Sequence, residues 1–240
     1  MNTSSIRQFL SAALLVLSAA LFTCAQDLSS PKQNARPGSS AASSATVVPT
    51  DAASYSYEFN QPKFYVKHIF LQHDSAGHGK ITFARLNEDV SVEEPLEISA
   101  TALAKIRASW DALKFLDSQK DYQSSQQFPH LGTMKIGMQL GEKKRIAEFN
   151  WTHDPNAADL IAEYRKLADQ AILVFDISVA RENQPLNAPK LMETMESLLK
   201  RNGLSDPKQL LPLLTDISTD EHVPLIARNH ALRLIKQIKK

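Results

Sequence analysis

The chain has 240 residues, with 27 Lys and Arg against 26 Asp and Glu, a formal net charge of +1. That balance excludes a basic field on the scale nucleic acid demands, and equally an acidic tail. The one cysteine, Cys24, sits near the N-terminus, so the body of the chain has no disulfide, no thiolate nucleophile and no Cys-ligated zinc.

Met1 to Gln8 is short and polar with Arg7 as its side-chain cation, and Phe9 to Phe22 (FLSAALLVLSAALF) carries no charge. As a helix that run is roughly 21 Å long, short of a ~30 Å hydrocarbon core. Small residues follow at Thr23 and Ala25, the pattern of a secretory signal peptide over residues 1–25, cleaved between Ala25 and Gln26. An uncleaved N-terminal anchor is the alternative. Leu21-Phe22-Thr23-Cys24 resembles a bacterial lipobox, with Leu at −3 and Cys at +1, which implies lipidation of Cys24. Phe22 and Thr23 are bulkier than the small residues of that motif, and cleavage after Ala25, which discards the thiol, is preferred. Either way the body is expected outside the cytosol, periplasmic or secreted. Membrane attachment would come only through an uncleaved signal or a lipidated Cys24. Residues 26–54, rich in Ser, Ala, Pro and Thr, offer little to bury and read as a spacer.

Residues 55–180 read as an α+β domain. Lys63 to His73 is rich in aromatic and β-branched residues, and the glycines of Asp74-Ser75-Ala76-Gly77-His78-Gly79 predict a turn into a returning strand, Lys80 to Leu86. Ser99 reads as the N-cap of a helix to about Leu113, with Leu103, Ile106, Trp110 and Leu113 at helical spacing. A second hairpin alternates Met134, Ile136, Met138 and Leu140 with polar neighbours, turns at Gly141-Glu142, and returns with Ala147, Phe149 and Trp151 inward. Asp154-Pro155 supplies an N-cap and an N1 proline for a long helix. The order β-β-α-β-β-α predicts an antiparallel sheet from two hairpins with helices packed on one face.

Residues 181–240 read as a helical extension. Pro185 and Pro189 interrupt the chain, Pro189 to Asn202 is helical with Gly203 as its stop, Asp206-Pro207 starts another helix, and a last begins near Asp220. The span 206–238, with its Leu210-Leu211-Pro212-Leu213-Leu214 stretch, resembles a single HEAT-type helical hairpin; such units bury their faces against neighbouring copies, so a lone pair makes no solenoid and the resemblance describes local shape only.

For chemistry, His73, Asp74 and His78 around the first turn are candidate metal ligands, imidazole and carboxylate together suiting zinc or copper. No G-x-S-x-G elbow, H-E-x-x-H pair or G-x-x-x-x-G-K-[ST] loop occurs. The loop Phe128-Pro129-His130-Leu131-Gly132 is expected to pack against the sheet rather than form a ligand lip. The expectation is an exported non-catalytic binding or interaction module of the cell envelope, with no cofactor and no nucleic acid, its partner an envelope protein or ligand. The alternatives are a hydrolytic enzyme with dispersed acid–base residues and a metal-handling protein using the His73/Asp74/His78 turn.

Overall fold

The computed structural model describes residues 52–240. The signal peptide, the Ala25–Gln26 cleavage point, Cys24 and nearly all of the spacer lie outside those residues. Six antiparallel strands form one sheet: β1 (Ser54–Asn60), β2 (Val66–Asp74), β3 (His78–Arg85), β4 (Val92–Glu97), β5 (Thr133–Leu140) and β6 (Lys143–Phe149), in the spatial order β4-β3-β2-β1-β5-β6. Helices α1 (Ala100–Leu113) and α2 (Pro155–Asn183) cover one face, so the fold is α+β. Three further helices, α3 (Ala188–Lys200), α4 (Leu211–Thr219) and α5 (Leu225–Ile238), complete the C-terminal region. Among the described residues no helix is long and apolar enough to cross a membrane.

Two strands are additional to the four expected. In β1, Tyr55, Tyr57 and Phe59 alternate with Ser54, Ser56 and Glu58, a period-two pattern that places the aromatics on one face. The register sets Tyr57 against Leu71 of β2 and Ile136 of β5, so β1 joins the two hairpins. β4 (VEEPLE) has the composition of an edge and pairs only with β3. The Ile98 amide donates to the Gly77 carbonyl at 3.0 Å, so by alternation Glu97 and Pro95 turn away from β3. The N–H that proline lacks is therefore on the unpaired side, and the outward Glu97 carbonyl accepts from Gln209 Nε2 at 2.9 Å. Pro95 and the flanking glutamates also discourage pairing with another chain.

The β2–β3 turn depends on two glycines. Gly77 has φ +91°, and a Cβ on Gly79 would lie 1.9 Å from the Gln72 carbonyl oxygen.

Sequence capping is realised as read. Ser99 accepts from the Ala102 amide at 3.2 Å to start α1, and Asp154 accepts from the Ala157 amide at 2.9 Å to start α2. The inward faces of the sheet and of α1 and the first half of α2 make one core, centred on Tyr57, Leu71, Ile81, Ile136, Ile106 and Tyr164. Trp151, expected inward, is instead half exposed beyond the end of β6 and packs edge-on to Phe128 at 5.4 Å.

Position 180, where sequence divides domain from extension, falls inside α2. That helix continues to Asn183, and Leu173 and Ile177 belong to a second core with Met192, Met195, Leu214 and Leu234 from α3, α4 and α5. The α4–α5 hairpin thus buries its face on α2 and α3 instead of on another repeat. α3 ends with Asn202, not Gly203, in the left-handed conformation (φ +54°). Gly203 N–H then reaches the Leu198 carbonyl at 2.8 Å and Asn202 N–H the Leu199 carbonyl at 3.2 Å, a Schellman closure. α5 starts at Leu225 instead of near Asp220, because Pro224 disfavours helix in the residue before it. Asp220 instead caps the turn, accepting from the His222 amide and from Arg181, both at 3.0 Å.

A polar clamp joins the two cores. Gln170, buried on α2, accepts from the Asp206 amide at 3.0 Å and donates to Gln209 Oε1 at 3.1 Å; Gln209 in turn donates to the Glu97 carbonyl of β4.

Candidate ligand-binding cleft

The metal-ligand candidates do not converge. His73 lies on the inward face of β2 and is 2% exposed, its Nδ1 2.7 Å from the Asp74 carbonyl and its Nε2 2.8 Å from the Tyr164 hydroxyl. Tyr164 also accepts from Trp110 Nε1 at 3.0 Å. That orders the protons: Nδ1–H donates to the carbonyl, and Tyr164 donates to Nε2 while accepting from the indole. Burial holds His73 below its ordinary pKa, aided by Arg107 and opposed by the Asp74 carbonyl and carboxylate. Asp74 closes the turn, accepting through Oδ1 from Ala76 N–H at 2.8 Å and His78 N–H at 2.9 Å. Burial opposes but does not prevent those donors from keeping its carboxyl below the usual range. His78 is exposed, its Nδ1 3.9 Å from Asp74 Oδ2. With both His73 nitrogens engaged inward, the pair cannot share an ion without dismantling the network. Among the described residues no group of three or more His, Cys, Asp or Glu is placed to hold a metal.

The Phe128–Gly132 loop is tied to the β1–β2 turn but is not buried against the sheet as expected: Pro129 and His130 are exposed. Gln61 reaches across to donate to the Pro129 carbonyl at 3.1 Å and the His130 carbonyl at 2.8 Å.

A half-open cleft of about 490 Å³ lies where β1, the β1–β2 turn and the start of β2 face the middle of α2. Its volume is within the range of small-molecule sites. Phe59, Val66 and Ile69 make apolar wall, and Phe64 and Tyr65 stand at the mouth, the latter 66% exposed. Lys63, Arg165 and Asp169 supply charge. Arg165 and Asp169 are one helical turn apart on α2, hence on the same side. The guanidinium of Arg165 lies 4.7 Å from the Phe59 ring centroid, a cation–π contact that fixes it against the wall.

Tyr57 closes the inner side. Its ring stacks on Tyr164 at 5.3 Å and 4°, wholly buried, yet its hydroxyl has no hydrogen-bond partner among the described residues. Burial pushes its phenol up to about 12; Arg165 pulls down, by its charge and as an approaching hydrogen-bond donor whose geometry falls short of a full bond, and Asp169 pushes up. Among the described residues neither Lys63, Arg165 nor Asp169 enters an ion pair, whereas nearby Arg85 is engaged by Asp176 and Glu88. Asp169 reaches the surface, but protein crowding around it raises its carboxyl, against the pull of Arg201 and Arg165.

Chemically, the cleft joins an aromatic slot to a polar end with spare donors. Sequence reasoning does not assemble it: Tyr57 and Phe59 fall in no expected element of the domain, Lys63 to Ile69 reads only as part of a strand, and Arg165 and Asp169 fall outside the apolar stripe of α2.

A second open groove of about 460 Å³ runs along the seam between β4 and α2, with Leu167, Ala171, Val174, Phe175 and Leu213 as apolar lining. Glu94 and Glu97 border it, and the polar clamp closes one end.

No known protein-family model matches the chain, and no curated protein is significantly similar to it.

Proposed function

We propose that this protein is an exported, non-catalytic binding module of a bacterial envelope, periplasmic or secreted, that takes a small ligand in the cleft between β1–β2 and α2. The observation that carries the binding role is an aromatic cleft of about 490 Å³ whose three charged groups, Lys63, Arg165 and Asp169, enter no ion pair among the described residues. Unpaired charges beside exposed aromatics are what a ligand with an apolar body and a charged end engages. Export rests on the Phe9–Phe22 run and the small residues that follow it. The hydrolytic alternative gains no support from the cleft, where the one carboxyl, Asp169, has no second acid or base paired to it. The metal-handling alternative is disfavoured by the engagement of both His73 nitrogens.

Two experiments test this. Subcellular fractionation with intact mass should find the processed chain outside the cytosol; an unprocessed cytosolic chain refutes export. An NMR screen of the mature protein against a small-metabolite library should shift resonances of Phe64, Tyr65 and Arg165. Shifts confined to the β4–α2 seam would refute the assignment to this cleft.

A further inference from the structure

Taking that cleft as the binding site, we propose that it recognises a compact organic monocarboxylate, its aromatic or branched apolar body lying against Phe59, Phe64 and Tyr65 and its carboxylate held by Arg165 with help from Lys63. The class follows from donors and acceptors. Arg165 and Lys63 bring charged hydrogen-bond donors to the cleft, and Asp169 is its one side-chain carboxylate. An acceptor-rich, anionic group is therefore what the cleft lacks. A planar carboxylate matches the guanidinium fork. A dianionic phosphate is a poorer match, because its third oxygen and second charge bring it toward Asp169. The apolar wall, with two aromatics at the mouth, selects a body that gains by leaving water. Free carboxylates of this kind are small enough for the roughly 490 Å³ available.

The test uses the mature protein and three probes, 3-phenylpropanoate, the isosteric 3-phenylpropanamide and inorganic phosphate, titrated by calorimetry and by NMR. The carboxylate is expected to bind about tenfold tighter than the amide, the discrimination typical of a charge-assisted hydrogen bond in a partly dry site. Arg165→Gln should bring the two within about twofold of each other. Arg165 reaches the surface, so its replacement spares the core; Lys63→Gln gives a second, smaller reduction and guards against a misfolded first variant. Equal binding of amide and carboxylate, a preference that survives both substitutions, or phosphate binding as tightly as the carboxylate would overturn the ligand class while leaving the cleft as a site. Failure of both aromatic probes at millimolar concentration, with Phe64 and Tyr65 resonances unmoved, would overturn the cleft itself.

Discussion

Two stacked tyrosines offer a sharp test of the buried polar chemistry. Tyr57 and Tyr164 are both fully buried and lie face to face, but only Tyr164 has hydroxyl partners. Replacing Tyr164 by Phe keeps the ring and the stack. It leaves Trp110 Nε1–H without its acceptor and His73 Nε2 without its donor, both in residues at most 3% exposed. Each orphaned group costs about 1–3 kcal/mol, and losing the hydroxyl's own desolvation offsets part, so the net should be on the order of 3 kcal/mol. Tyr57→Phe removes a hydroxyl with no partner and should be neutral or stabilising by up to about 1 kcal/mol. Urea unfolding followed by far-UV circular dichroism separates the two. With a slope near ~2 kcal/mol/M, Tyr164→Phe lowers the midpoint by about 1.5 M while Tyr57→Phe leaves it or raises it. Equal losses in the two variants would refute the proton assignment, since ring volume and burial are matched.

Stability should also depend on His73. Its folded pKa lies below the unfolded 6.5, so the unfolded chain binds the extra proton; the stabilisation is complete above about pH 6.5 and declines as pH falls toward the folded value. Asp169 and Asp176, with raised carboxyls, push the other way at the acid end, so the test is the urea midpoint from pH 5 to 8 in wild type against His73→Gln, where the slope should flatten. Gln170→Ala should cost about 2 kcal/mol by freeing the Asp206 amide and Gln209 Oε1, with hydrogen exchange accelerating first around Ser205 and Asp206. Gly79→Ala forces a Cβ into the Gln72 carbonyl, and should destabilise by more than about 3 kcal/mol or leave the chain unfolded in a thermal melt.

What the sequence disclosed is what local chemistry decides. The Ser99 and Asp154 caps, the Thr133–Phe149 hairpin and the apolar stripes of α1 and α2 are each written within a few residues of themselves. β1 escaped because its Ser-Tyr-Ser-Tyr alternation follows directly on a Ser- and Ala-rich stretch, and composition outweighed period. β4 escaped because a proline and three glutamates argue against a strand until its edge position is known. The cleft was illegible for a different reason. Tyr57 and Arg165 are more than a hundred positions apart, and only the sheet register together with the angle of α2 brings them to one wall. The histidines drew notice instead because they are close in sequence, yet strand alternation sends His73 inward and the turn leaves His78 in solvent.

The length of α2 ties these observations together. Its first half packs on the sheet, its second half on α3, α4 and α5, and Arg165 and Asp169 sit about two turns and about one turn, respectively, before the changeover between Ile172 and Leu173. The extension therefore reaches the cleft by two routes. Arg201, at the end of α3, acts on the Asp169 carboxyl, and the Gln170–Gln209 clamp fixes the turn of α2 from which Asp169 projects. Removing the residues after Asn183 would strip Leu173 and Ile177 of their cover and leave the Gln170 side chain without its Asp206 and Gln209 partners. A helix frayed from that end loosens the wall carrying the cleft's charges before it loosens the sheet. On this physical account the helical region is a brace for the cleft side of α2. Carboxylate affinity should accordingly fall in Gln170→Ala, although Gln170 itself is no part of the cleft lining.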